Sequence, residues 1–279
     1  MPELPEVETV RRGLTQLVKG AQIKSVDVIY PKMLNVDAQT FIDCLSGSTI
    51  NQIDRRGKYL LFRLNNGHTV VSHLRMEGKY DVETDGEKPD KHTHIIMHLT
   101  DGRELRYNDS RKFGRMYLIK NGDEHTLSGI GTIGPEPTET DLTFDYMKSI
   151  MNKSRGKIKP FLLNQDHIAG LGNIYTDEVL WMSKIHPEQP TNLISDDQIK
   201  VLRRNIIDEI ALAIKGHGTT VHSYSNAFGE AGEFQSQLHV YGKKGQPCER
   251  CGTPIEKIKV AQRGTSFCPN CQRVVGVDD

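Results

Sequence analysis

The sequence predicts an α+β protein: an N-terminal antiparallel β-sandwich with flanking helices, a helical region after it, and a small β-hairpin ribbon at the end. Three observations predict it. Through residues 21–120, short stretches rich in Val, Ile, Tyr and Leu alternate with turn dipeptides at hairpin spacing. From about residue 141, apolar residues recur at helical spacing instead. Finally, four of the five cysteines form two Cys-x-x-Cys knuckles near the C-terminus.

The elements follow in order. Pro5 suits the first turn of a helix, and Val7, Val10, Leu14, Leu17 and Val18 recur at helical spacing until Gly20. Strands are expected at Ile23–Tyr30, Tyr59–Leu64, His68–Leu74, His94–Leu99, Arg103–Tyr107 and Arg115–Ile119. Asn66-Gly67 and Asp101-Gly102 each join two of them, and Asn121-Gly122 ends the last. Hairpins in series imply an antiparallel sandwich or barrel, not a parallel sheet. A short helix around Thr40–Leu45 interrupts the strands, with Cys44 as a small apolar residue inside. Residues 132–140 contain Gly134, Pro135 and Pro137 and read as a linker. Helices then start near Asp141, run over Ile158–Asn164, follow Asn173, and begin again at Ser195. Gln198 completes a capping box with Ser195, and Ile199, Leu202, Ile206, Ile210 and Ala213 share one face. The expected domains are 1–131, 141–240 and 241–279, with a Gly-rich loop at 217–237.

Composition excludes several classes. No apolar run approaches the roughly 20 residues a membrane helix requires, and the acidic start lacks the cationic and apolar regions of a signal peptide. A reducing, cytosolic setting is expected, in which cysteines are metal ligands or thiols before they are disulfides. The 36 basic and 36 acidic residues cancel, so the chain is no general polycation. Charge is local: Lys148, Lys153, Arg155, Lys157 and Lys159 occur without an acid among them, and residues 241–275 are basic on balance. Such patches suit nucleic acid or an ordinary solvated surface.

The spacing Cys248-x2-Cys251-x16-Cys268-x2-Cys271 matches a four-thiolate tetrahedral zinc site on paired hairpins. Four protein ligands leave no open position for water, so one structural zinc is expected and no organic cofactor. Lys257, Lys259 and Arg263 lie between the knuckles, placing basic groups where a ribbon can press on phosphates.

The first six residues are Met1-Pro2-Glu3-Leu4-Pro5-Glu6. A residue as small as Pro2 permits removal of Met1, which leaves a free secondary amine. Its reference pKa of about 7.7–8.0 makes it far more nucleophilic near neutrality than a lysine at about 10.4. An adduct of a secondary amine with a carbonyl carbon is an iminium with no N–H to lose, so it stays cationic and keeps withdrawing electrons. Glu3 and Glu6 are close enough in sequence to serve as acid or base, and the positive end of the helix disfavours the protonated amine.

Three far-separated motifs now stand together: Pro2-Glu3-Leu4-Pro5-Glu6-Val7-Glu8-Thr9-Val10-Arg11-Arg12, Gly170-Leu171-Gly172-Asn173-Ile174-Tyr175, and the cysteine ribbon. Together they resemble the formamidopyrimidine-DNA glycosylase family of bacterial base-excision repair enzymes, from Pro2 to Cys271. The resemblance implies a bifunctional DNA glycosylase/AP lyase acting on double-stranded DNA with a damaged base, as a cytosolic monomer. It implies Pro2 as nucleophile on C1′, Glu3 as proton donor to the opened sugar, and Glu6 as a supporting carboxylate or a helix first-turn acid. Lys58, in Arg55-Arg56-Gly57-Lys58-Tyr59, matches the lysine of the β-elimination step; Arg263 matches the ribbon arginine that binds phosphate in δ-elimination. Met76 matches the wedge that fills the hole left by an extruded base, Arg111 the reader of the orphaned cytosine, and Phe113 the stacking aromatic. Phosphate contacts are implied for His73, His92, Arg155 and Asn173, the last at a helix-two-turn-helix. Thr93 and Ser154 depart from the family pattern beside His92 and Arg155.

The separated Arg111/Phe113 pair and the 217–237 loop, expected as a lid, favour oxidised purines, 8-oxoguanine and formamidopyrimidines. Two alternatives remain from the sequence: the oxidised-pyrimidine glycosylases of the endonuclease VIII branch, and a non-catalytic zinc-ribbon protein that binds damaged DNA.

Overall fold

The structure, a computed structural model, describes residues 1–84, 86–219 and 234–276. It divides into two compact units: Met1 to Thr132 with the segment beginning at Gly216, and Ile133 to Lys215 with the segment beginning at Phe234.

The first unit opens with helix α1 (Leu4–Val18) and continues as β1 (Ile23–Val28), helix α2 (Ala38–Leu45), β2 (Ile50–Arg56), β3 (Tyr59–Leu64), β4 (His68–His73), β5 (Lys79–Thr84), β6 (Thr93–Leu99), β7 (Arg103–Asn108) and β8 (Arg115–Lys120). The strands form two four-stranded antiparallel sheets, ordered β1-β6-β7-β5 and β2-β3-β4-β8. The sandwich expected from serial hairpins is thus present. Its core joins Ile53, Leu60, Phe62 and Val70 of one sheet to Ile95, Met97, Leu105 and Tyr107 of the other, with Val7, Val10, Leu14 and Val18 of α1 packed on them. Those four residues are the apolar stripe that made the helix legible.

Two strands escaped the sequence pattern. In β2 the buried residues Ile50 and Ile53 lie three apart, across an irregularity in register, so the period of two is lost. In β5 only Tyr80 is fully buried between charged neighbours. Their pairing, not their composition, makes them strands.

The register aligns one end of the sandwich. Arg56 pairs Tyr59, Tyr59 pairs His73, and His73 pairs Arg115 across the second sheet. In the first sheet Lys79 pairs Asn108. The β4–β5 and β7–β8 connections therefore leave from and return to paired strand ends, each crossing from one sheet to the other side by side.

The second unit holds α3 (Phe144–Asn152), α4 (Ile158–Leu163), α5 (Asn173–Met182), α6 (Asp196–Lys215) and the ribbon strands β9 (Glu256–Val260) and β10 (Arg263–Phe267). The first of these helices begins later than the expected Asp141 because the Thr143 side chain accepts from the Tyr146 amide and caps it there. Nearly all of α5 is buried, including its polar residues. Glu178 spends both oxygens on backbone amides of His239 (2.6 Å), Val240 (2.9 Å) and Tyr241 (2.8 Å), anchoring the chain where it leads into the ribbon. Among the described residues no helix is long and apolar enough to cross a membrane.

Candidate active site and nucleic-acid interface

In the first unit, α1 starts at Leu4 with Glu3 as its N-cap. The Glu3 backbone amide donates to Glu6 Oε2 at 2.8 Å, half of a capping box that leaves the preceding residue fixed at the positive end of the helix. Pro2 is buried, as are Glu3 and Glu6. Glu6 Oε1 accepts from the Thr219 amide (2.8 Å) and hydroxyl (3.2 Å), beside Gly218 at φ +74°. A side chain at Gly218 would place its Cβ 2.7 Å from Glu6 Oε1, so only glycine lets this segment close on the carboxylate. Both Glu6 oxygens are thus engaged in holding backbone.

Lys58 is the second residue of the two-residue turn between β2 and β3, after Gly57 at φ +54°. It is only 4% exposed, unlike an ordinary hairpin lysine. Burial lowers the pKa of the α-ammonium at Met1 most, with Lys58 acting in the same sense and Glu3, Glu77 and Glu6 opposing. These residues therefore surround the start of the chain closely enough to feel its charge.

Sequence reasoning missed the group that joins helix to hairpin. Glu8 accepts from Arg11 Nη2 at 2.8 Å and Arg12 Nε at 2.9 Å on its own helix, and from Arg55 Nε at 3.2 Å on β2. Arg55 in turn donates through Nη1 to the Gly57 carbonyl at 3.0 Å, inside the turn that carries Lys58. Burial works against the Glu8 charge, but the hydrogen bonds from Arg11 and Arg12 and the Arg55 charge overcome it and hold the carboxyl down at about 2. Two acids and two arginines within two helical turns, Glu6, Glu8, Arg11 and Arg12, were the available signal.

His73 ends β4, edge-on to Tyr59 at 4.6 Å between centroids. Burial first, then the charges of Arg75 and Lys58, push its imidazole down to about 3, and Nδ1 accepts from the Arg75 amide at 3.0 Å. It is neutral at pH 7 and offers a single N–H, so it can meet a phosphate only as a neutral donor. His92 is half-buried before β6; its carbonyl accepts from the Asp109 amide at 2.9 Å.

The β4–β5 and β7–β8 connections carry the three residues matched to void filling. Met76 and Phe113 are large apolar side chains left 36% and 48% exposed, and the Arg111 guanidinium lies 4.7 Å over the Phe113 ring. Arg75 and Lys112, immediately before them, have φ of +55° and +57°. Left-handed non-glycine residues cost on the order of 1 kcal/mol each and persist where the surroundings over-determine them.

In the second unit, the ribbon turn is Ala261-Gln262, both with positive φ, which sets Arg263 at the exposed tip opposite Val260. Three groups dock this tip on the helices. Asn173 Nδ2, at the start of α5, donates to the Gly264 carbonyl at 3.0 Å; Lys159 Nζ donates to the same oxygen at 3.1 Å; Asp177 Oδ2 accepts from the Ser266 amide at 2.8 Å. Lys159 and Asp177 also pair at 2.6 Å with no exposed side-chain surface. Removing one partner of such a pair costs about 3–5 kcal/mol. Arg155 is exposed in the turn between α3 and α4.

The four sulfurs of Cys248, Cys251, Cys268 and Cys271 lie within 4.8 Å of one another, with 3.5 Å between Cys251 and Cys268 and 3.9 Å between Cys248 and Cys271. A tetrahedron with Zn–S bonds of about 2.3 Å needs sulfurs roughly 3.8 Å apart, so the set fits zinc with no ligand to spare. Trp181 Nε1 donates to Cys248 Sγ at 3.4 Å while its ring stacks on His239 at 4.3 Å and carries Arg250 at 3.8 Å. This aromatic stack, with Ile255 and Val240, is the small apolar floor of the ribbon. One structural zinc is the cofactor of this chain.

Family models match in three consecutive blocks: the formamidopyrimidine-DNA glycosylase N-terminal domain over residues 1–116, the formamidopyrimidine-DNA glycosylase H2TH domain over 133–225, and the zinc finger found in FPG and IleRS over 245–274. The chain belongs to the formamidopyrimidine-DNA glycosylase family. It is 65% identical to the formamidopyrimidine-DNA glycosylase of Lactiplantibacillus plantarum over 98% of this chain and 100% of that one. With the Enterococcus faecalis protein of that name it is 49% identical over 99% of each. Among solved structures, the complex between the Lactococcus lactis Fpg and an abasic site containing DNA superimposes with a TM-score of 0.93 at 46% identity, covering 97% of this chain and 99% of that one. MutM in complex with carbocyclic 8-oxo-G containing DNA gives 0.92 at 44%, covering 98% and 100%. The α+β architecture with its helical H2TH region and cysteine ribbon is that of the family. Residues 220–233, most of the expected 217–237 lid, lie outside the described residues.

Proposed function

We propose that this chain excises 8-oxoguanine and formamidopyrimidines from double-stranded DNA in base excision repair and then cuts the strand by β,δ-elimination. One observation carries the reading: a buried Pro2, with Glu3 and Lys58 gathered about the chain start, in a protein that matches the family along its whole length. Relatives solved with abasic-site DNA, 8-oxo-G DNA and FAPY-dG DNA support this substrate class, and a bacterial cytosol is the setting that fits.

While Met1 is attached, the Pro2 nitrogen is an amide whose lone pair is delocalised into the carbonyl. Removal of Met1 makes it a secondary amine in the buried surroundings where burial and Lys58 lower the Met1 ammonium and Glu3, Glu77 and Glu6 oppose them. Its lone pair bonds to C1′ as the glycosidic bond breaks; the base departs with the electron pair, and the N–H proton of the new ammonium passes to that departing base. Glu3 gives a proton to the sugar oxygen as the ring opens, leaving the cationic iminium. That charge acidifies C2′; loss of its proton expels the 3′ phosphate, and a second elimination expels the 5′ phosphate. Lys58 serves the first elimination and balances phosphate charge. Glu6, with both oxygens engaged, is a positioning residue for the nucleophile and for the Thr219 segment.

Arg263 is always protonated and so acts on the phosphates electrostatically, not as a general acid. Met76, Arg111 and Phe113 fill the gap left by the extruded nucleotide and read its partner cytosine. His73, His92, Arg155 and Asn173 contact phosphates.

Borohydride reduction on an 8-oxoguanine duplex tests the chemistry. One stoichiometric protein–DNA adduct is expected, located on Pro2 by mass spectrometry. An adduct on a lysine, or full activity in material that retains Met1, overturns the assignment.

A further inference from the structure

Two connections carry the residues assigned above to void filling, yet neither has a hydrophobic core of its own. One side chain beneath them does what a core would do. Tyr107, next to the end of β7, is 1% exposed, and its ring packs edge-on against Tyr80 at 5.2 Å between centroids. Tyr80 and Tyr107 are paired across β5 and β7, so both rings are fixed by strand register.

The tip of Tyr107 lies between two glycines. A Cβ added at Gly114 would fall 1.7 Å from the Tyr107 hydroxyl oxygen, and one added at Gly78 would fall 2.3 Å from the same atom. Gly114 directly follows Phe113, and Gly78 is two residues past Met76. Neither glycine is in the left-handed region, so the absence of a side chain serves the close approach and not a turn. Asp109 completes the mount, with Oδ1 accepting from the Arg111 amide at 2.9 Å and Oδ2 from the Gly114 amide at 2.8 Å.

The hydroxyl has no partner at full hydrogen-bond geometry among the described residues, and the Asp109 carboxylate is the polar group that interacts with it. A buried hydroxyl this poorly satisfied adds little to stability, so its deletion should be nearly neutral if the residue were merely structural. Burial, with Tyr80 and Asp109 in the same sense, keeps it protonated.

We propose that Tyr107 is a positioning residue for base extrusion: its hydroxyl is a common post between Gly78 and Gly114 that sets Met76 and the Arg111–Phe113 pair at one mutual height. The proposal rests on the reading of Met76, Arg111 and Phe113 as the void-filling group. Loss of the post leaves each loop intact but lets them settle independently, and a misplacement of about 1 Å can cost up to on the order of a hundredfold in rate.

The test compares Tyr107→Phe, Met76→Ala and Phe113→Ala by stopped-flow fluorescence of 2-aminopurine beside an 8-oxoguanine paired with cytosine. Strand cleavage at a preformed abasic site, where there is no base to unstack, is followed in parallel. For Tyr107→Phe the expected result is an extrusion rate lower by about tenfold, abasic-site cleavage within about twofold of wild type, and a nearly unchanged Tm. Wild-type extrusion by Tyr107→Phe, with Met76→Ala and Phe113→Ala slowed, overturns the post and leaves the void-filling reading standing. Wild-type extrusion by Met76→Ala and Phe113→Ala overturns the void-filling reading, and the post with it. Equal losses on both substrates with a lowered Tm also overturn the post, since they mark general damage.

Discussion

The Glu8 carboxylate and the Arg55 guanidinium meet at 3.2 Å, Oε2 to Nε, and so tie the helix that begins beside Pro2 to the hairpin that bears Lys58. Pro2 and Lys58 come from segments more than fifty residues apart, and this charged junction, with the Arg11 to Ile53 carbonyl contact at 3.4 Å, sets their spacing. Glu8→Gln is expected to lower excision by roughly tenfold or more through misalignment, with DNA affinity little changed. Single-turnover kinetics beside a binding titration check the split.

The same carboxylate makes an acid-stability prediction. Its pKa is depressed from about 4.5 to about 2 in the folded state, so its contribution is fully present above pH 4.5 and is lost as pH falls toward 2. Glu8→Gln should therefore cost stability at pH 7, about 1–3 kcal/mol, and little at pH 2. Chemical denaturation at both pH values measures the difference.

Glu209 runs the opposite way. It is 4% exposed on α6, its Oε1 has no hydrogen-bond partner among the described residues, and burial, aided by Glu178, raises its pKa to about 7. A raised acid favours the fold while protonated, so its contribution is complete below about pH 4.5 and is lost as pH rises through 7. Glu209→Gln should raise stability at pH 8.5 by about 1–3 kcal/mol and leave pH 4.5 nearly unaltered. Equal effects at the two pH values would remove the titration from the explanation.

Zinc removal bears on the second unit. Zinc binding in ribbon-like peptides supplies about 10–16 kcal/mol of apparent free energy at neutral pH, and the apolar floor beneath this ribbon is small. Chelation should abolish DNA binding with the loss of one zinc per chain; DNA affinity retained by zinc-free protein would make the ribbon peripheral.

Among the site residues, Pro2→Gly should lose most base release, because it removes the buried secondary amine that attacks C1′, and should slow the eliminations too, because a primary amine gives a deprotonable imine in place of a fixed cation. Lys58→Ala should impair cleavage of an abasic site as well as of an intact lesion, because both pass through the first elimination. Parallel assays on 8-oxoguanine, thymine glycol and abasic duplexes check both and measure the purine preference.

Much of this was legible in the sequence for physical reasons. The helix Leu4–Val18 is amphipathic, the hairpins at Asn66-Gly67 and Asp101-Gly102 have turn chemistry, and the cysteine spacing has few other uses. What stayed hidden depends on partners remote in sequence. The strand Ile50–Arg56 exists because Tyr59–Leu64 pairs with it, and Lys159 looked like one more surface lysine until Asp177 enclosed it. Tyr107 is a strand-end aromatic like any other until the two glycines on either side of its hydroxyl are seen together.

The amide at Pro2 has a practical corollary. With Pro2 proposed as the nucleophile, a chain that keeps its leading methionine is expected to grip damaged duplexes without cutting them. An affinity tag fused ahead of that proline should yield well-folded protein that competes with repair, whereas the same tag at the opposite terminus should not.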